Sequence, residues 1–263
     1  MATIDKPQKS TLSQYDLSWD AWLTRAYAIN PEYVIYAVIL VLAVVMRFWN
    51  LGDRVMSHDE SLHTYYSWRL YDAGDFQHTP LMHGPVLFHI IAFFYFMFGD
   101  SDFTARIYPA LLGTGIVMFP ILFRRWMGKS GAVLASIGLL ISPMMTYYSR
   151  YIREDIPMIF YALVMIYAFM QYIDGVKPRR LVWLWVFSGS MLLMLATKEV
   201  GFMNIAIFGS FLTVYWVLRV LQEIPIKHRQ PYHPGWIPPI WQVALGHVLV
   251  IGTAVVLGFF GGE

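Results

Sequence analysis

Seven stretches of this chain are apolar over 17 to 21 residues each, and that repetition constrains the fold more than any other feature. They are Tyr33–Trp49, Ile107–Phe123, Ser130–Tyr148, Ile156–Ile173, Leu181–Thr197, Val200–Leu218 and Ile240–Phe260. A helix rises 1.5 Å per residue, so about 20 apolar residues cross a hydrocarbon core of about 30 Å. Backbone polar groups cannot go unpaired in that core, which makes each stretch a helix. Composition agrees: 57% of residues are apolar and 14% charged, with a mean hydropathy of +0.50. A soluble domain carries about a quarter charged residues. The sequence therefore predicts an all-α integral membrane protein. With no cysteine, disulfide scaffolds, thiol catalysis and cysteine-based metal centres are excluded. A net charge of +2 gives no electrostatic footprint for a nucleic acid.

An eighth apolar segment, Pro85–Phe98, has 14 residues and would reach only about 21 Å. Whether it spans decides which loops share a face. If it lies flat and the N-terminus is cytoplasmic, 12 of the 19 basic residues fall inside and 11 of the 17 acids outside, as the positive-inside rule requires. If it spans with the N-terminus inside, the basic count reverses. An eight-span chain with its N-terminus outside also recovers 12 basic residues inside, but it must translocate the charged tail 1–32. That tail carries Trp19, Trp22, Leu23, Ala26 and Ile29 at helical spacing, consistent with a surface helix or with packing on the loops. We take seven spans, a cytoplasmic N-terminus and a module over residues 33–263. The loop 50–106, the segment 149–155 and the junction Thr197–Val200 then share the non-cytoplasmic face.

Chemistry-bearing residues gather on that face. The loop 50–106 opens with Ser57-His58-Asp59-Glu60 and continues into a helical pattern from Glu60 to Asp72. Leu62, Tyr65, Tyr66, Arg69 and Leu70 fall on its spacing, and Gly74 is a stop signal. The second segment holds Arg150, Arg153, Glu154 and Asp155 within six residues. Acids before a span complement its N-terminal dipole, so a structural role is open to Glu154 and Asp155. The functional reading is a site in which Asp59 and Asp155 hold a divalent cation or deprotonate a nucleophile. Arg150, Arg153 and Lys198 would then face a phosphate. Arg47, Arg106 and Arg219 read as solvated or snorkelling charges at span ends. Five of the eight histidines lie between 58 and 89 without metal-ligand spacing, and Asn204 reads as an inter-helix hydrogen bond.

The ordered set is distinctive. An Asp-Glu pair opens an outer helix, then come His83-Gly84-Pro85-Val86-Leu87, Phe98-Gly99, Ala105-Arg106, and Tyr-Ser-Arg-x-x-Arg-Glu-Asp before the fourth span. This resembles the GT-C glycosyltransferases, in the branch of protein O-mannosyltransferases and bacterial aminoarabinose transferases. The likeness covers about residues 33–220. It implies a seven-span module whose first outer loop has two membrane-parallel helices. It also implies transfer of a sugar, hexosyl or mannosyl in type, from a polyprenyl-phosphate donor to a protein, lipid or glycan acceptor by a single inverting displacement. By resemblance Asp59, with Glu60 beside it, takes the catalytic position. Asp155 with Glu154 takes a position associated with a metal, magnesium or manganese. Lys198 contacts the donor phosphate, and His83 stands where relatives often carry Lys. Relatives usually continue beyond seven spans into an acceptor-selecting part, so the expectation is a fragment or a module that relies on partner membrane subunits. The competing class is a non-enzymatic scaffold subunit of a larger membrane complex, respiratory, photosynthetic or translocation.

Overall fold

A computed structural model describes residues 31–77, 83–174 and 180–223, and these are all helix, turn or loop. The chain divides into two compact units, Met1–Ile207 and Phe208–Glu263. Of the second, the described part is the end of one helix. The site lies within the first. The N-terminal tail and the seventh predicted span, Ile240–Phe260, fall outside the described residues.

The other six predicted spans all fall on helices. The first is α1, Pro31–Phe48. Its buried positions Tyr36, Ile39, Ala43 and Arg47 recur every three or four residues and make one face. The apolar part of that face packs on Val117 and Leu140. The opposite face, with Val34, Val38, Val41 and Val45, is exposed and suits acyl chains. The second span is α4, Asp102–Met118, continued by a tight 3-10 turn over Phe119–Phe123. It is the central element, touching α1 on one side and later helices on the other.

The third predicted span is two helices. After α5, Arg124–Ile141, the chain breaks at Ser142 and resumes as α6, Pro143–Ser149. Proline lacks a backbone donor and pushes its predecessor out of helical geometry. Ser142 accordingly sits at φ −62°, ψ 115°, and its hydroxyl accepts from the Met145 N–H to cap α6. The fourth and fifth spans, α7 (Asp155–Asp174) and α8 (Arg180–Leu195), pack against each other, and α9 follows over Gly201–Glu223.

Two more helices occupy the first long loop. The first, α2, covers His58–Ala73 and starts with a complete capping box: the Ser57 hydroxyl accepts from the Glu60 N–H, and the Glu60 carboxylate accepts from the Ser57 N–H. Gly74 closes it in the left-handed region at φ 65°, as the stop signal predicts. The second, α3, covers Val86–Phe98, and its 13 residues reach about 20 Å, too short to span. One face of α3 buries Leu87, Ile91 and Tyr95 with Ala105, Tyr108 and Ile152. The other face exposes Phe93, Phe96 and Phe98.

The face of α2 that the apolar spacing nominated is not the buried one. Leu62 and Tyr65 are exposed, and the inward face is Glu60, His63 and Ser67. The helix buries polar side chains because their partners lie on other elements, information that periodicity does not carry.

Candidate active site

The first turn of α2 is fixed by one carboxylate. Glu60 is completely buried and accepts from Arg54 at 2.7 Å, from Arg106 at 3.1 and 3.4 Å, and from the backbone N–H groups of Ser57 and Ile152, each at 3.2 Å. Burial alone would raise its pKa; the Arg106 hydrogen bond and the two backbone donors outweigh it and hold the carboxyl below the usual range. Arg106 also donates to the Leu51 carbonyl at 3.0 Å. One anion thus ties α4, the start of α2 and the segment 149–155 together. Its oxygens are saturated, which gives Glu60 an anchoring role beside Asp59.

These contacts decide the topology. Glu60 on the first loop bonds to Ile152 on the second segment, so the two share a face. The eight-span arrangements, which put them on opposite faces, are excluded. Two arginines also need correction. Arg47 and Arg106 are fully buried, where the sequence suggested charges at the interface. Arg47 donates to the Ser149 hydroxyl at 3.3 Å, and a Cβ on Gly113 would lie 2.1 Å from that oxygen, so the site admits only glycine. The side chain of Arg219 lies outside the described residues.

Beside the anchor runs a row of accessible charges. Asp59 meets Arg153 at 3.8 Å, Arg153 meets Asp155 at 3.6 Å, and Lys198 bonds to Asp155 at 2.8 Å. Asp59 and Asp155 are 46% and 37% exposed, which leaves oxygens free for a ligand. Asp155 and Lys198 head a groove of about 330 Å³. Its length is lined by Met158, Ile159, Ala162, Leu163 and Ile166 on one face of α7, with Val200 just before α9 and Asn204 in its first turn. From Asp155 to Ile166 that face runs about 16 Å, charged at its head and apolar beyond.

The turn that carries Lys198 is held by main-chain contacts. The Gly84 N–H donates to the Thr197 carbonyl at 3.0 Å and the Val86 N–H to the Ala196 carbonyl at 3.3 Å. A Cβ on Gly84 would sit 2.0 Å from the Ala196 oxygen, so no other residue fits. This join brings His83 within 2.8 Å of Glu199. Burial would raise the Glu199 pKa, but its own backbone N–H, His83 and Lys198 lower it.

Of the residues predicted from sequence, Asp59, Arg153, Asp155 and Lys198 therefore form one contiguous row. Arg150 does not join it. Its guanidinium donates to the carbonyls of Met46 and Asn50 at 2.9 and 3.0 Å and closes the C-terminal end of α1. His83 is one step away, engaged with Glu199. Glu154 and Asp155 diverge: Glu154 is fully buried against His63, whose Nε2 lies 2.6 Å from its Oε1, while Asp155 faces Lys198 and Arg153. Among the described residues no three His, Asp or Glu side chains converge as a cation site. The Glu154–Asp155 pair does not fit a divalent cation in this arrangement.

Sequence reasoning missed the roles of Arg54 and His63. Arg54 bonds to Glu60 and its guanidinium lies 5.1 Å from the centre of the Tyr151 ring. The lone signal for His63 was its place one turn after Asp59.

Comparisons with known proteins agree with this architecture. The profile of the dolichyl-phosphate-mannose-protein mannosyltransferase family matches residues 82–232, more than half of the chain. An uncharacterized protein of Aquifex aeolicus is 28% identical over 200 residues, covering 72% of this chain and 39% of its own length. Dolichyl-phosphate-mannose–protein mannosyltransferase 1 of Candida albicans is 27% identical over 256 residues, covering 88% of this chain and 28% of its own. Among solved structures, ArnT from Cupriavidus metallidurans superposes in the apo state with a TM-score of 0.57 at 21% identity, over 76% of this chain and 36% of that one. Its complex with undecaprenyl phosphate gives 0.58 at 20% identity, over 81% and 38%. The chain thus spans less than two-fifths of the length of these relatives. By profile match and fold, the chain belongs to the dolichyl-phosphate-mannose-protein mannosyltransferase family of GT-C membrane glycosyltransferases.

Proposed function

We propose that this protein transfers a sugar, of hexosyl or mannosyl type, from a polyprenyl-phosphate donor to a hydroxyl-bearing acceptor on the non-cytoplasmic face. The observation that carries the reading is the groove headed by Asp155 and Lys198, with Arg153 and Asp59 at its mouth. A lipid-linked sugar phosphate has the same two-part chemistry, an apolar tail and a charged head. The prenyl chain lies along Met158, Ala162 and Ile166. Lys198 and Arg153 offset the phosphate charge, which makes it a better leaving group. The related ArnT, solved with undecaprenyl phosphate, supports a donor of this class.

In the transfer, the Asp59 carboxylate takes the proton of the acceptor hydroxyl. The hydroxyl oxygen bonds to the anomeric carbon as the bond from that carbon to the phosphate oxygen breaks. Polyprenyl phosphate leaves with the electron pair, and the single displacement inverts the anomeric configuration. Asp155 orients Lys198 before the donor arrives. The N-terminus is cytoplasmic in this reading, as the distribution of basic residues favours.

Native mass spectrometry of the protein extracted from its own membrane tests the proposal. A polyprenyl phosphate or its sugar conjugate should co-purify and be lost from the Arg153→Ala/Lys198→Ala double variant. Stoichiometric protein subunits without such a lipid would overturn the reading in favour of a scaffold.

A further inference from the structure

His63 is a buried titratable side chain that reaches from the first acidic pair to the second. It lies on α2 and is 7% exposed. Its Nδ1 is 2.7 Å from the backbone carbonyl oxygen of Asp59, and its Nε2 is 2.6 Å from Glu154 Oε1. A carbonyl can only accept, so Nδ1 carries a proton and donates it to Asp59. Nε2 and the Glu154 carboxylate meet as a close ion pair rather than as an aligned hydrogen bond. The ring stacks on Phe88 of α3, with centroids 5.2 Å apart and planes 20° apart, which fixes its orientation. Glu154 is fully buried, and neither of its oxygens has a hydrogen-bond partner among the described residues; the His63 ring nitrogen is its close charged neighbour. His63 is therefore its main compensation.

We infer that His63 is a positioning residue that sets the separation between the acceptor-side carboxylate of Asp59 and the phosphate-side pair of Asp155 and Lys198. The chain of contacts is short. From the Asp59 backbone it runs through the imidazole to Glu154 and along one peptide bond to Asp155, the first residue of α7. Glu60 with the Ile152 N–H, and the Ser57 and Tyr151 hydroxyls, also join the two segments, but they meet the second one three or more residues before Asp155. The link through Arg153 is made at 3.6 and 3.8 Å by half-exposed groups that a substrate phosphate would recruit. It cannot define a distance in the complex. The buried link can, because it contains no group that the substrate engages. A displacement of about 1 Å at reacting atoms costs about a hundredfold in rate. Burial lowers the imidazole pKa, but Glu154 and then Asp59 outweigh it and raise the pKa above the ordinary histidine value.

This role rests on the proposed transfer reaction, and the test separates the two. Full-length His63→Gln, Glu154→Gln and the double variant are compared with wild type and Asp59→Asn. Three measurements are made: binding of undecaprenyl phosphate, transfer from dolichyl-phosphate mannose in membranes, and amide hydrogen exchange. For His63→Gln, transfer should fall about a hundredfold while undecaprenyl phosphate binding changes less than about threefold. Exchange in peptides covering 57–63 and 150–156 should quicken together, with the rest of α2 unchanged. The double variant should be no worse than the poorer single one. Equal loss of binding and transfer, or additive losses, would overturn the positioning role. So would unchanged exchange at either segment, and that readout stands whether or not transfer is detected. If exchange and coupling behave as expected but Asp59→Asn transfers normally, the reaction assignment fails and the positioning of the two segments survives.

Discussion

The first turns of α2 and α7 carry the same device in different states of completion. Each has adjacent acidic residues, Asp59-Glu60 and Glu154-Asp155, and in each the glutamate is fully buried while the aspartate reaches the accessible row. Glu60 is saturated by donors from four residues. Glu154 has the close approach of His63 and no hydrogen-bond donor among the described residues. A saturated buried carboxylate anchors; an under-compensated one depends on its single cation. Adjacent acids in one sequence motif can thus have separate duties, and burial shows which is which.

The largest way to sharpen this comparison is to remove charge from each side of the first pair. Asp59→Asn should lower transfer about 10²–10⁴-fold and leave thermal stability in detergent within about 0.5 kcal/mol, as expected for a lost general base at an exposed position. Glu60→Gln should do the converse. It strips the buried Arg106 of its counter-charge, so stability should drop by about 3–5 kcal/mol, read by thermal melting or by loss of folded yield. If Glu60→Gln melts like wild type, the anchoring role is wrong. Glu154→Gln should cost less, about 1–3 kcal/mol in the same melt, because one contact rather than five is disturbed.

Acid provides a milder version. The Glu60 pKa is lowered by folding, so its contribution is fully present above the unfolded-state value and fades as pH falls through the folded one. Stability should therefore begin to fall as pH drops through the ordinary glutamate range and keep falling until Glu60 itself is protonated, and Glu60→Gln should flatten that acid limb. The smallest expected change is Arg150→Ala. Closing the end of α1 is worth about 1 kcal/mol, and transfer should stay within about threefold of wild type. A loss near that of Lys198→Ala would return Arg150 to the phosphate site.

Much of the scaffold was legible because its signals are local. Apolar length marked six helices, Ser57 with Glu60 spelled the capping box, Gly74 spelled its end, and 14 residues were too few for Pro85–Phe98 to span. Ser142-Pro143 carried the break in the third span, a signal outweighed by the apolar run around it. The charged row was legible in part, since Asp59, Arg153, Asp155 and Lys198 stand in motif positions. What could not be read depends on pairings distant in sequence. Arg106 is identified as buried only once Glu60 is known to face it, and the inward face of α2 only once Glu154 is known to meet His63. Arg150 looked like its neighbour Arg153, but the carbonyls it serves belong to a helix a hundred residues earlier.

The seam between the first loop and the turn bearing Lys198 joins Gly84 and Val86 to Thr197 and Ala196 through peptide groups. A join of that kind is indifferent to the side chains mounted beside it, provided residue 84 has none. His83, one position outside the seam, and Glu199, two positions outside it, can then be exchanged without disturbing the frame that presents them. The fold therefore separates the durability of the site from its preferences. Lys at position 83 would add a permanent charge near the donor head, and a different partner at 199 would redirect it. The charge presented beside the row of Asp155 and Lys198 can change there while the rest of the scaffold stays as it is.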